Sequence, residues 1–149
     1  MKPRLDYHVA QGAYQVMAGL EQYVRNSGLE HPLLELVKTR ASQINGCAYC
    51  IDMHTKDARA AGESEQRLYA LPAWRETPFF TPRERAALAF TESVTLLARD
   101  HVPSEDYEAV AAQFEPDEVA ALLALIVAIN AWNTIGVATR AWRPGSYEP

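Results

Sequence analysis

From Val119 to Ile129 the chain carries eleven consecutive apolar residues, and Pro116-Asp117-Glu118 stands directly in front of them. Proline at a first helical position followed by acidic residues is a helix-start signal. The helix it predicts reaches roughly Arg140 and is apolar on almost every side. A helix without a polar face must be covered all round, by its own domain or by another subunit. Eleven apolar residues are too few to span a bilayer, which takes about 20. The covering elements are therefore expected to be other helices, because no period-2 alternation in the chain is long enough to suggest a sheet.

Helical periodicity recurs through the rest of the sequence. Over 6–25, Val9, Ala13, Val16, Met17, Leu20 and Val24 fall at three- and four-residue spacings, an amphipathic stripe that stops at Asn26-Ser27-Gly28. Pro32 opens a second helix to Asn45, with Leu33, Val37, Ala41 and Ile44 on one face and Gly46 as its terminator. A third is expected from about Cys47 to Ala61, stopping at Gly62, and Ser64 caps a short fourth that ends before Pro72. Residues 72–81 read as a loop rich in aromatics and proline. Thr81-Pro82-Arg83-Glu84 then combines an N-cap threonine, proline at the first helical position and a capping-box glutamate. That fifth helix carries Ala86, Ala87, Phe90, Val94 and Leu97 to about Asp100, and Ser104 starts a short sixth with Tyr107, Val110 and Phe114. The expected fold is all-α, a single domain over 1–149 with about seven helices.

Charge and cysteine content narrow the function. A formal net charge of −5, with no run of Lys and Arg, argues against nucleic acid and anionic membranes as partners, since both need a concentrated basic surface. MKPRLDYHVAQ at the N-terminus lacks the apolar core of a signal peptide, so a cytoplasmic, reducing compartment is expected. There a cysteine pair is more often catalytic or metal-binding than a structural disulfide.

The pair in question lies in NGCAYCIDMH, residues 45–54. Gly46 separates two helical patterns, which puts Cys47 at or just before a helix N-terminus, where free N–H groups and the dipole favour a thiolate. Along the helix, Cys50 is three residues from Cys47 and His54 four from Cys50, so all three share one face, continued by Ala58. Two thiols at this spacing can close a small disulfide, and an adjacent imidazole can take a thiol proton. A metal site is a second possibility: Cys47, Cys50 and His54 supply three ligands of the four that structural zinc takes, with His8, His31 or His101 as candidate fourths. A third is that two cysteines simply pack as small apolar residues.

Glu35-Leu36-Val37-Lys38 followed by Asn45-Gly46-Cys47-Ala48-Tyr49-Cys50-Ile51-Asp52-Met53-His54 resembles the core motif of the AhpD-like alkylhydroperoxidases, within the carboxymuconolactone decarboxylase superfamily. The shared pattern is a glutamate on the preceding helix, then C-x-x-C-x-x-x-H, then small residues and a glycine, here Ala58 to Gly62, so the core motif spans 35–62. The likeness continues through Thr81 to Ala89 and Ile129 to Asn133. It implies a helical subunit of a homo-oligomer, commonly a trimer or hexamer. It also implies a cysteine pair that reduces hydroperoxides and is re-reduced by a dithiol partner such as a lipoyl group, with no metal or organic cofactor required. Carried onto this chain, the catalytic residues are Cys47, Cys50, His54 and Glu35, with Cys50 assigned as the peroxidatic thiol because His54 lies one turn away. The implied alternatives are a disulfide oxidoreductase that meets no peroxide, or a zinc-stabilised or plain helical oligomerisation module. The decarboxylase branch matches less well, since decarboxylation does not need a dithiol.

Two residues qualify the resemblance. Without it, Glu35 would read as solvated, because Lys38, Thr39 and Ser42 sit at helical spacing from it. Tyr49 stands where the best-known peroxidase of the family has a second relay histidine, and a phenol titrating near 10 cannot exchange protons near neutrality. Elsewhere, Asn130 and Asn133 are expected to make structural hydrogen bonds in the last helix beside Trp132. Trp74, Phe79 and Phe80 are candidates for a substrate entrance or a subunit interface. Asp57 could orient His54 but reads more simply as a surface charge, as do His8, His31 and His101.

Overall fold

The computed structural model describes residues 2–5 and 7–149; Met1 and Asp6, the first position of the expected first helix, lie outside them. The described residues form an all-helical single domain with no strand: α1 (Tyr7–Arg25), α2 (His31–Asn45), α3 (Ala48–Ala60), α4 (Glu65–Ala70), a 3-10 segment (Leu71–Glu76), α5 (Pro82–Thr95), α6 (Leu97–Asp100), α7 (Ser104–Ala111) and α8 (Pro116–Thr139). The expected fifth helix is thus two, broken at Leu96, whose backbone leaves the helical region (φ −97°, ψ 29°). The start signals act as expected. Thr81 Oγ1 accepts from the Glu84 N–H at 3.2 Å, and the Thr81 N–H donates to Glu84 Oε2 at 2.7 Å. Glu115 caps α8 the same way, its N–H donating to Glu118 Oε2 at 2.8 Å.

Helix α2 is the hub, packing against α3, α5 and α8, while α1 lies on α8 and α7 on α5. Leu33, Leu34 and Val37 of α2 join Phe90, Leu122, Leu125 and Ile126 in one apolar cluster. Leu36 joins a second with Ala58, Leu68, Leu71, Trp74, Phe80 and Leu88. Truncating a fully buried leucine of this kind typically costs about 2–5 kcal/mol. Being enclosed by three neighbours explains why α2 departs from its amphipathic pattern: Lys38, Thr39 and Ser42, expected as a solvated stripe, are buried.

Three further expectations are corrected. The stripe on α1 is buried only in part: Val24 is sealed and Met17 and Leu20 are half-buried, but Val9 and Val16 are 76% and 75% exposed, and Tyr14, outside the stripe, is buried. At 24 residues α8 is long and apolar enough to cross a membrane by length and composition, which its eleven-residue apolar run did not suggest. It serves here as the core helix, with Leu122, Leu125 and Ile126 fully buried, and its own chain leaves Leu123, Val127 and Val137 exposed. Finally, residues 72–81 are not a plain aromatic loop. Trp74 is buried in the 3-10 segment, donating Nε1–H to Glu92 Oε1 at 2.9 Å with Arg75 and Arg85 against its ring, and Phe80 is buried too. Only Phe79 of the three is exposed, and none of them lines the large cavity described next.

Candidate active site

The junction of α2 and α3 places the cysteines. Gly46 adopts the left-handed conformation (φ 66°), its N–H donating to the Gln43 carbonyl at 3.3 Å while the Cys47 N–H donates to that of Ser42 at 3.0 Å. This Schellman closure needs a residue without Cβ strain at Gly46 and delivers Cys47 as the N-cap of α3. Cys47 and Cys50 are joined as a disulfide with Cα atoms 5.4 Å apart. Cys50, His54 and Ala58 form the buried face of α3, as the spacing predicts.

Facing them from α2, Glu35 Oε2 lies 2.9 Å from His54 Nδ1, with the two residues only 4% and 5% exposed. Burial alone would raise the Glu35 carboxyl. The hydrogen bond and charge of His54, with Lys38 and His31, outweigh it and hold Glu35 below the ordinary carboxylate value. Lys38 Nζ is 3.9 Å from Glu35 Oε1 and 3.1 Å from Glu21 Oε2, so the buried Lys38 and Glu35 of α2 and the half-buried Glu21 of α1 form one charge network. His31, expected as an ordinary surface residue, is exposed but reaches to 4.0 Å from Glu35 Oε1. With Nδ1–H donated to a carboxylate, Nε2 is the nitrogen left to accept a proton.

A cavity of about 530 Å³ opens on this site, lined by Cys50, His54 and Glu35, by Lys38, Glu21 and Arg25, and by four aromatic rings. Cys47 does not line it. Its sulfur faces α8: a Cβ built on Gly136 would lie 3.3 Å from Cys47 Sγ and 3.4 Å from Trp142 Cζ3. Asn133 of α8 anchors the end of α2, its Nδ2 donating to Ser42 Oγ at 3.0 Å and its Oδ1 accepting from Asn45 Nδ2 at 3.0 Å. Asn130 Oδ1 accepts from the same Asn45 amide at 2.6 Å, so both asparagines make the expected structural bonds.

Residues 141–149, which the sequence reading passed over, fold back over α3. The Gly145 N–H donates to Asp52 Oδ2 at 3.0 Å, Lys56 Nζ donates to the Tyr147 carbonyl at 2.9 Å, and Tyr147 O–H donates to Asp57 Oδ1 at 2.7 Å. Asp57 is therefore a partner in the site and not simply a surface charge. The bond to Asp57, with burial, pushes the Tyr147 phenol up to about 12, which keeps it a donor. Trp142 stacks on Tyr49 at 5.5 Å and meets Trp132 and Tyr14, each at 5.8 Å. Burial, then the charges of Asp52 and Asp57, raise the Tyr49 phenol, so this residue forms a wall and cannot act as a relay base. Glu35, His54 and Asp57 bring ligand atoms within 4.8 Å of one another, a three-donor set short of a closed zinc site.

Known proteins resemble this chain in sequence and in fold. Residues 11–93 match the model of the carboxymuconolactone decarboxylase family. The uncharacterised protein YdfG of Bacillus subtilis is 42% identical over 93% of this chain and 95% of its own. A crystal structure of an Agrobacterium tumefaciens protein of unknown function, described as a candidate antioxidant-defence protein AhpD, is 42% identical and superposes with a TM-score of 0.91 over 96% of this chain and 99% of that one. An AhpD-core, peroxidase-related protein from Ralstonia eutropha shares the fold at 18% identity, with a TM-score of 0.80 over 94% of this chain and 74% of that one. The chain belongs to the carboxymuconolactone decarboxylase family and is an AhpD-like member of it.

Proposed function

We propose that the protein is a thiol-dependent peroxidase that cycles Cys47 and Cys50 between dithiol and disulfide. The observation that carries this reading is that Cys50, and not its partner, shares a cavity with the buried His54–Glu35 pair. The pair supplies a base beside the thiol, with the Glu35 carboxylate holding the imidazole that accepts the proton. The Cys50 thiolate attacks one peroxide oxygen, forming an S–O bond as the O–O bond breaks, and the alcohol leaves with the proton held on His54. Cys47 then attacks the Cys50 sulfenic acid, forming the S–S bond and releasing water. An external dithiol, such as a lipoyl group, restores both thiols by exchange and carries away the two electrons. The A. tumefaciens protein's description as an antioxidant-defence AhpD supports the same chemistry.

A second reading keeps the dithiol and drops the peroxide. Tyr49 in place of a relay histidine favours it, because a raised phenol contributes no proton transfer near neutrality. Consumption of tert-butyl hydroperoxide with dihydrolipoamide as reductant, in wild type, Cys50→Ser and Cys47→Ser, decides between the two. The peroxidase predicts turnover in wild type alone and a stoichiometric burst in Cys47→Ser. Equal, slow consumption by all three would leave disulfide exchange as the activity. The exposed Val9, Val16, Val127 and Val137 support association with further copies of the chain; a trimer or hexamer in a reducing, cytoplasmic compartment belongs to the same proposal.

A further inference from the structure

The C-terminal segment supplies two of the four rings in the cavity wall, Trp142 and Tyr147; Tyr49 and Trp132 supply the others. It has no regular secondary structure. What holds it is a set of side chains on α3: Asp52 takes the Gly145 N–H, Lys56 the Tyr147 carbonyl, and Asp57, at the cavity, the Tyr147 hydroxyl. Asp52 and Lys56 also pair with each other at 3.0 Å. These anchors fix Tyr147 beside Asp57 and next to the Glu35–His54 pair. Trp142 is fixed independently by rings from α1, α3 and α8.

Volume and lining then bear on the substrate. About 530 Å³ is the size of a site for a small organic molecule, and hydrogen peroxide would leave nearly all of it unfilled. Planar walls reward a planar guest, through stacked or edge-on contacts beyond simple area burial. We propose that the C-terminal strap, through Trp142 and Tyr147, is the specificity-determining wall of the site and selects substrates that carry an aromatic ring next to the group reduced. This rests on the cavity being the substrate site and extends the peroxidase reading to aryl-substituted hydroperoxides.

Cumene and tert-butyl hydroperoxide differ only by a phenyl ring in place of a methyl group, so their kcat/KM ratio isolates the ring. The strap predicts a preference for the cumene compound of about tenfold or more, the order expected from burying and stacking one ring. That ratio falls toward one in Trp142→Ala and Tyr147→Ala, is partly kept by Trp142→Phe, and is kept by Tyr147→Phe if the ring is what matters. A ratio near one in wild type, or one unmoved by the alanine variants, overturns the proposal. Binding of 2-phenylpropan-2-ol, tert-butanol and 1-hexanol to the oxidised protein by calorimetry needs no turnover. Preference for the aryl alcohol, lost in Trp142→Ala, supports the strap even where no hydroperoxide is reduced and the peroxidase reading fails. Equal binding of the aryl and linear alcohols overturns it. Because Trp142→Ala removes a packed ring, Tyr147→Ala, which truncates only the distal part of the strap, provides the same reading should the first variant fold poorly.

Discussion

Glu35 Oε2 and His54 Nδ1 meet at 2.9 Å across the α2–α3 interface, both nearly sealed from solvent. A carboxylate in such a place is tolerated only when paired. Here the partner is a base beside a cysteine, with Lys38 and Glu21 extending the pairing to α1. The same contact therefore joins two helices and sets the orientation of the imidazole.

Glu35→Gln keeps the shape and removes the charge. Outer-sphere partners of this kind typically contribute about 10- to 100-fold to activity, so a fall of that order in peroxide turnover, or in the rate of Cys50 alkylation, is expected. The folded carboxyl sits below its ordinary value of 4.5, so its stabilisation is present above that pH and is lost as pH falls through the folded value. The gap in Tm between wild type and Glu35→Gln should accordingly be widest near pH 7 and narrow below about pH 4.5. A gap independent of pH would refute the assignment of the Glu35 charge as stabilising.

Lys38→Met tests the other end of the network. It removes the lysine beside Glu21 and Glu35, 16% and 6% exposed at their side chains, leaving Glu35 to His54 and His31. Breaking a fully buried pair costs about 3–5 kcal/mol, and partial solvent access at Glu21 reduces the expectation to about 1–3 kcal/mol. Adding Glu21→Gln should recover part of the loss, as coupled sites do. Chemical denaturation of the two singles and the double reads this directly, and strict additivity would show that Lys38 and Glu21 do not interact.

Legibility in the sequence followed the range of the interactions. Cys50 and His54 were readable because i, i+4 on one helix is a local geometry, and Cys47 because Gly46 marks where that helix begins, although its sulfur turns to α8 and away from the shared face. Glu35 was not readable from spacing alone. Its neighbours Lys38, Thr39 and Ser42 are polar, and their burial depends on three other helices closing around α2. The strap was invisible for a stronger reason: Gly145 and Tyr147 bond to Asp52 and Asp57, about ninety residues earlier, through backbone and hydroxyl groups that no periodicity announces. The aromatic loop misled in the opposite sense, because Trp74 is satisfied by Glu92 inside the fold and not by a substrate or subunit.

The exposed valines give a test of assembly. Val16 on α1 and Val127 on α8 present apolar surface to solvent in the single chain. Val16→Asp and Val127→Glu should leave the helical circular dichroism intact and lower the mass in light scattering toward the 16.6 kDa of one chain. A wild-type protein that is already monomeric would remove the oligomer from the proposal.

Gly136 is the last position where packing at the site can be measured. It lies within α8, where glycine is less favourable than alanine by about 1 kcal/mol, so a bare alanine substitution gains in helix propensity. Its Cβ would stand 3.3 Å from Cys47 Sγ and 3.4 Å from the Trp142 ring, contacts close enough to require a small shift. The sulfur is tied to Cys50 and the ring is wedged among Tyr14, Tyr49 and Trp132, so neither has much room to yield. Gain and crowding should nearly cancel in Gly136→Ala, leaving stability within about 1 kcal/mol of wild type. Gly136→Val adds two methyl groups in the same place and loses the propensity gain, and overpacking of this kind costs about 1–3 kcal/mol. Thermal unfolding of the oxidised proteins, with tryptophan fluorescence reporting on the Trp142 ring, distinguishes the two. A valine variant as stable as the alanine one would mean that the α8 face of Cys47 is looser than the structure describes.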